Sequence, residues 1–349
     1  NQVQSAILTK QLNFRVLTIR NVVASILAGI VGVIAAYQGL GVYALVLQSL
    51  INSVMSTILL WSISSWKPSL LFSFKELKGL MGFSSYVFFD RLVSTAFRKL
   101  DVLIIAKVFS PATLGFYSRA VSLKDQVTTY SSASIQKVFF PVLSSLQNNS
   151  KDYTNIYFRV ISIVTFVSFF LTGILFFMGR ELIIGLFGQK WEASVPIFEV
   201  LVLGVCTYPL NSMIVNAFMS KGLSKENFRI GLFRKLIQIG PLLLAYFYGI
   251  FEFTVAVVAI SYLLTFINIY YLNKYTQLSI RDHVNKLVDG VLPLVPFVVI
   301  SKLVEMDELK LKLILLITFV ITYILYNWVK GTEGLKFMIV NGKKLFNRR

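Results

Sequence analysis

Cysteine and histidine occur once each, as Cys206 and His283. A single thiol cannot form an intramolecular disulfide, and one thiol with one imidazole is no metal-ligand cluster, so no metal or other cofactor is expected. Charge is scarce: 14% of residues carry it, against about 25% in an ordinary soluble chain. From Asn21 to Trp66 there is none. The start has no charged region followed by a short apolar run and a cleavage site, so no signal peptide is expected in this stretch. The first residue is Asn1, not Met, and reads as the beginning of a piece cut from a longer protein. Stretches between the apolar segments reach about 15–20 residues, too short for an extramembrane domain.

What the chain has in excess is apolar surface. Of its 349 residues, 56% are hydrophobic, and the mean hydropathy is +0.72. A soluble domain holds about 45–50% apolar residues; the surplus here needs a bilayer. The net charge is +18, from 34 basic and 16 acidic residues. In a soluble protein that excess would suggest nucleic acid. In a membrane protein it reflects Lys and Arg in cytoplasmic loops.

A membrane-spanning helix needs roughly 20 mostly apolar residues. The uncharged stretch 21–66 holds two, with Gly39-Leu40-Gly41 as the turn. Further uncharged runs are 160–179, 200–220, 236–251, 253–273 and 313–329, and a shorter one at 287–301 contains Pro293 and Pro296. Two segments, 79–109 and 114–140, are apolar but carry internal charges, which suits helices facing protein or water. The expected fold is an all-α integral membrane bundle of about ten spans.

Alternating sides from a cytoplasmic N-terminal segment tests that count. Basic residues then crowd the inside loops, among them Lys10, Arg15, Arg20, Lys67, Lys75, Lys78, Lys221, Lys225, Arg229, Arg234, Lys235 and the C-terminal Lys343, Lys344, Arg348 and Arg349. The outside loops keep Lys107, Arg180, Lys190, Lys302, Lys310 and Lys312. One missed span would scramble this asymmetry. Both ends are therefore expected in the cytoplasm. No nucleic-acid partner is expected, because the basic residues follow topology. A faint internal repeat pairs Arg20, apolar run, Gly39, apolar run with Arg234, apolar run, Gly249, apolar run.

The segments 79–109 and 114–140 are the most informative. With Asp90 at zero on a helical projection, Arg91 falls at about 100°, Arg98 at about 80° and Asp101 at about 20°, with Lys99 near 180°. Ser118, Arg119, Ser122, Asp125, Gln126 and Thr129 share an arc from about −20° to 100° on the next helix, with Lys124 off it. Lipid would penalise each charge there by about 2.5–3.5 kcal/mol. These groups line a hydrated cavity or pair with one another. In the first reading Arg98 and Arg119, with Arg91 as a third, hold an anionic group, since the guanidinium fork matches phosphate oxygens and keeps its charge. Asp90, Asp101, Ser122, Asp125 and Gln126 complete the wall. In the second, Asp101 pairs with Arg98 three residues earlier as a structural network. Phe169-Phe170 and Tyr270-Tyr271 are expected to face lipid or the interface, Cys206 to pack, and His283 to be solvated in a cytoplasmic loop. Pro209, Pro241, Pro293 and Pro296 fall within spans.

Residues 101–123, DVLIIAKVFSPATLGFYSRAVSL, resemble a characteristic stretch of the bacterial lipopolysaccharide and polysaccharide export proteins, the Wzx-type O-antigen flippases. The likeness continues in KVFFPVLSSLQNN (137–149) and ELIIGLFGQKWEASVPIFEVL (181–201), and nearer the start in LTKQLNFRVL (8–17) and YQGLGVYALVLQSL (37–50). It rests on the order and spacing of pieces, not on a catalytic signature. It implies the multidrug/oligosaccharidyl-lipid/polysaccharide exporter fold: two six-helix lobes and two further helices, about fourteen in all. On that mapping 1–66 ends the first lobe, 67–273 is the second, and 274–349 is the terminal pair with a basic tail.

The function implied is a flippase in the cytoplasmic membrane, not an enzyme. It would carry a polyprenyl-diphosphate-linked oligosaccharide (an O-antigen, capsule or exopolysaccharide repeat unit) across the bilayer by alternating access, alongside a polysaccharide polymerase or assembly proteins. A drug or cation antiporter of the same fold would favour cavity carboxylates over arginines. A membrane-embedded polysaccharide polymerase would need a sizeable catalytic loop.

Overall fold

The computed structural model describes residues 2–63, 66, 73–303 and 309–346, and their side chains except at 83, 98–102, 130–134, 136, 137, 302, 309 and 341–346. Among the described residues there is no strand; the molecule is helix joined by short turns. It divides into two compact units, Asn1–Leu77 and Lys78–Arg349.

In the first unit, α1 (Gln2–Lys10) leads into α2 (Phe14–Tyr37) and α3 (Val42–Ile63). The expected turn between the last two is there: Gly39 and Gly41 have φ of 82° and 52°, a region that suits glycine. Ala24, Ala28, Gly32 and Ala35 form the buried stripe of α2. Their three- and four-residue spacing puts small side chains on one face, so α3 can approach closely. A Cβ at Gly32 would already lie 3.0 Å from Cβ of Gln48.

The second unit opens with α4 (Phe74–Val108, whose first residues belong to the first unit) and α5 (Pro111–Ser145), each 35 residues long. Ser110 caps α5 by accepting the amide of Thr113, and Pro111 takes the first helical position, where its missing N–H costs nothing. Then come α6 (Ser150–Phe177), α7 (Gly179–Phe187), a 3-10 turn (Gln189–Ser194), α8 (Val195–Leu203) and α9 (Thr207–Ser220). They are followed by α10 (Ser224–Gln238), α11 (Gly240–Tyr248) and α12 (Ile250–Thr276). The last elements are α13 (Ile280–Val291), α14 (Val295–Leu303), α15 (Leu309–Val329) and α16 (Glu333–Phe346).

Among the described residues, eight stretches are long and apolar enough to cross a membrane: Phe14–Tyr37, Val42–Ile63, Ser150–Phe177, Gln189–Ser220, Ser224–Tyr248, Ile250–Thr276, Ile280–Ser301 and Lys310–Val329. Each contains or overlaps one of the apolar runs. Adding α4 and α5, which carry charges as expected, gives the ten long segments of the sequence reading. Three of the eight are broken in two, and each break precedes a proline: Pro209 in the first turn of α9, Pro241 at the start of α11, Pro296 at the start of α14. A proline cannot donate to the preceding turn, so the helix ends and restarts with the ring where no bond is lost.

Helix α6 lies at the centre of the second unit: 72% of its apolar window is buried, against 22% for α12. Here the sequence reading of Phe169-Phe170 fails. Phe169 is fully buried, and Phe170 stacks on Phe319 and packs at a tilt against Tyr323 of α15. The reason is glycine on partner helices. Gly290 of α13 makes room for Phe169, Gly334 of α16 for Phe166, and Gly173 of α6 for Phe319; a methyl group at any of the three would overlap the ring. A periodic aromatic stripe looks alike whether lipid or a glycine-bearing helix faces it.

His283 is likewise buried, not solvated. Its Nδ1 lies 2.7 Å from the carbonyl of Ser279, which can only accept, so Nδ1 carries the proton and Nε2 accepts from the Tyr157 hydroxyl at 2.9 Å. Cys206 packs as expected, fully buried, with its sulfur 3.2 Å from the Tyr262 hydroxyl.

Candidate functional site

The polar arc of α5 opens into a cavity. Ser118, Ser122, Asp125, Gln126 and Thr129 line it together with Leu114, Tyr117, Val121 and Ile105 of α4, and it measures about 540 Å³. These are the side chains that the helical projection grouped. Asp125 is the charged one among them.

Arg119 sits at the edge of the arc and turns towards the segment after α6. Its guanidinium carbon lies 4.5 Å from the ring centre of Phe187 and 4.7 Å from that of Trp191. Trp191 is itself steadied edge-on by Phe116, one turn back on α5, at 5.9 Å and 89°. The cation lies over both rings, where it gains from the ring electrons. Among the described residues no carboxylate or carbonyl takes its N–H edge. The group is held in place with its directional donors open.

Asp90 lies elsewhere, in a second cavity of about 280 Å³ bounded by α4, α9, α10 and α12. Arg234 and Lys235 of α10 line the same space and act electrostatically on its carboxylate, as does Arg91. Gly231 makes the approach possible: a Cβ there would lie 2.7 Å from Asp90 Oδ1 and 3.4 Å from Arg234 Nη2. Arg234 Nη1 donates to Asn268 Oδ1 at 2.9 Å. Asn268 Nδ2 donates to Asn211 Oδ1, and Asn211 Nδ2 to Thr265 Oγ1 and the Thr207 carbonyl, both at 2.8 Å. A single polar relay thus ties α10 to α12 and α9, with α4 presenting the acid.

The structure therefore splits the expected site residues. Ser122, Asp125 and Gln126 share one cavity, Asp90 faces another, Arg91 is exposed, and Arg119 stacks on aromatic rings. The side chains of Arg98 and Asp101, and of Lys99, lie outside the described residues. Arg234 and Lys235 were read as loop residues; they lie within α10, which begins at Ser224 and extends well beyond the uncharged run.

A family model for polysaccharide biosynthesis proteins matches residues 1–196 of the 349. The chain belongs to this family. Similar curated proteins include the teichuronic acid biosynthesis protein TuaB of Bacillus subtilis (strain 168), 24% identical over 207 residues, which cover 58% of this chain and 43% of TuaB. The lipopolysaccharide biosynthesis protein WzxC of Escherichia coli (strain K12) is 20% identical over 196 residues, 56% of this chain and 40% of WzxC. The succinoglycan biosynthesis transport protein ExoT of Rhizobium meliloti (strain 1021) is 20% identical over 201 residues, 57% and 40%. The chain thus matches less than half the length of these relatives. Among solved structures, the lipid II flippase MurJ in its inward closed conformation superposes with a TM-score of 0.60 at 15% identity, over 88% of this chain and 66% of MurJ.

The chain is thus a multi-pass membrane member of a polysaccharide biosynthesis protein family, with a fold like that of MurJ. Two site residues escaped the sequence reading. Lys124, off the polar arc, has its ammonium 2.7 Å from Asp125 and 4.3 Å from the Tyr208 ring centre. Arg234 was hidden because its partner, Asp90, is remote in sequence. One signal was available for it: an acid within an apolar segment needs a basic partner, which can come from another helix of the bundle.

Proposed function

We propose that the whole protein is a flippase that moves a polyprenyl-diphosphate-linked oligosaccharide across the cytoplasmic membrane, without catalysing a covalent step. The observation that carries this reading is Arg119, an arginine on the long helix α5, fixed by two aromatic rings beside a polar cavity and without a carboxylate partner among the described residues. Ionisable residues inside a bundle pair with one another or with backbone carbonyls, and Arg119 has neither partner among the described residues. An arginine held over aromatic rings, with no carboxylate on its N–H groups among the described residues, can form bidentate bonds to phosphate oxygens. The hydroxyls and amide of Ser118, Ser122, Gln126 and Thr129 suit sugar hydroxyls or diphosphate oxygens. The relatives, proteins of teichuronic acid biosynthesis, lipopolysaccharide biosynthesis and succinoglycan biosynthesis transport, and the likeness to the lipid II flippase fold agree with this cargo.

Residues 67–273 then form the second six-helix lobe, with α4, α5, α6, α8–α9, α10–α11 and α12 as its helices. Residues 1–66 belong to the first lobe and 274–349 form the terminal pair. Both ends lie in the cytoplasm, and cargo leaves from the cytoplasmic leaflet as the lobes rock. The tail of the lipid stays in the bilayer while the cavity covers the charged headgroup, and a polymerase on the far side takes up the repeat unit.

The test replaces Arg119 in the full-length protein with Ala or Lys and follows surface polysaccharide and membrane abundance together. Arg119→Ala abolishes export at normal abundance, and Arg119→Lys keeps part of it, because charge survives without the fork. Wild-type export by Arg119→Ala would overturn the assignment.

A further inference from the structure

Lys124 is the feature that the site does not yet explain. Its side chain is 6% exposed, on the face of α5 packed against α9. The stem lies between α5 and α9, and the ammonium reaches both the Tyr208 ring and Asp125. Neighbours in sequence point about 100° apart on a helix, so Lys124 belongs to the packed face of α5 and Asp125 to the cavity face. The ion pair runs through the helix flank and joins the two.

The pair is unequal. Asp125 is 58% exposed and water in the cavity can solvate it without help. Lys124 has given up its hydration, and a methionine of similar length would fill the slot beside Tyr208 without that cost. Stability alone therefore does not call for the lysine. Its charge acts on the cavity, where Asp125 would otherwise stand as an unopposed negative group.

We propose that Lys124 sets the charge selectivity of the α5 cavity: by cancelling Asp125 from behind, it lets a space lined by an acid admit an anion. It is a positioning residue that does not touch the cargo. The identity of that anion as a prenyl diphosphate rests on the flippase reading; the assignment of charge does not. Tyr208 extends the arrangement, since it also lines the cavity that holds Asp90 and Arg234, so the ammonium lies against the wall between the two spaces.

The experiment reads the cavity potential directly. In the full-length protein with Cys206→Ala, Ser122→Cys is a reporter whose reaction rates with anionic sulfonatoethyl and cationic trimethylammonioethyl methanethiosulfonates are compared. Lys124→Met lowers the anionic-to-cationic ratio by on the order of tenfold, Asp125→Asn raises it, and the double variant returns it close to the starting value. Lys124→Arg leaves it unchanged. A ratio that ignores Lys124→Met in folded protein overturns the proposal. If that variant does not accumulate, a ratio unmoved by Asp125→Asn overturns it equally. In parallel, binding of a polyprenyl diphosphate to purified protein weakens in Lys124→Met and recovers on adding Asp125→Asn. If the wild type binds no prenyl diphosphate while the ratio shifts as stated, the flippase reading fails and the role of Lys124 stands. If the wild type binds and the ratio does not move, only the role of Lys124 fails.

Discussion

Arg234→Met should destabilise the second unit by more than a surface substitution can. Two losses follow from the geometry. Asn268 is 2% exposed and would lose the donor to its Oδ1, which leaves a buried acceptor unsatisfied at about 1–3 kcal/mol. Asp90 would lose a cation whose Nη2 lies no more than about 6 Å from its Oδ1, given their common distances from the Gly231 position. At an effective dielectric of about 20 and that limiting separation the attraction is worth about 3 kcal/mol, of which the nearby Lys235 retains part. Together they come to about 2–4 kcal/mol. A change of that size lowers the melting temperature of purified protein in detergent by roughly 5–10 °C. Because Asp90 supplies half of the cost, Asp90→Asn added to Arg234→Met should recover a third or more of the loss. The readout is loss of the monodisperse peak on heating, for the single and double variants and for Asp90→Asn alone. If Arg234→Met melts within about a degree of the wild type, the relay is not holding α10 against α12 and the reasoning is wrong.

Gly173→Ala should lower the melting temperature through overpacking of about 1–3 kcal/mol, because Phe319 is hemmed by Phe170, Phe177, Phe297 and Tyr323 and cannot yield; adding Phe319→Leu should restore most of it. Lys312→Met should cost about 1–3 kcal/mol, since it strips Glu181 of its partner at 2.9 Å while the other carboxylate oxygen is already buried without one; Glu181→Gln in the same chain should relieve this in the same melt. For topology, in a Cys206→Ala background, Lys190→Cys should react with an impermeant thiol reagent added to cells from outside, and Ser224→Cys should react only after lysis. Reversed labelling would overturn the orientation.

The fold was legible because it rests on local properties. Long uncharged runs show spans, Gly39 and Gly41 show a turn, and charged runs such as 79–109 still show a helix when their charges fall on one arc. The cavity on α5 was legible for the same reason: Ser122, Asp125 and Gln126 lie on one helix, and a single periodicity places them together. What the pattern hid was neighbourhood. Phe169 looked fit for lipid because Gly290, which makes its pocket, is on another helix. His283 looked solvated because Arg281 and Asp282 beside it are polar, yet its partner Tyr157 lies on α6. The Asp90–Arg234 pairing joins α4 to α10, and helical angles measured within α4 carry no information about it.

Charge within this bundle is handled in two physically different ways. Lys124 with Asp125, and Arg234 with Asp90 and Asn268, set each charge against a counter-charge or a hydrogen-bonding partner, so little net field reaches beyond the cluster. Arg119 is held by rings instead. Aromatic faces stabilise a cation without cancelling it, by about 0.5–2 kcal/mol, and among the described residues no carboxylate takes the Arg119 N–H groups. A paired arginine would have to leave its carboxylate before it could hold a phosphate, and that exchange would consume much of the energy of binding. A stacked arginine has no such partner to lose. The contrast makes separable demands on mutants: neutralising either member of a pair should be repaired by neutralising the other, whereas no second substitution that removes a carboxylate should restore what Arg119→Ala takes away.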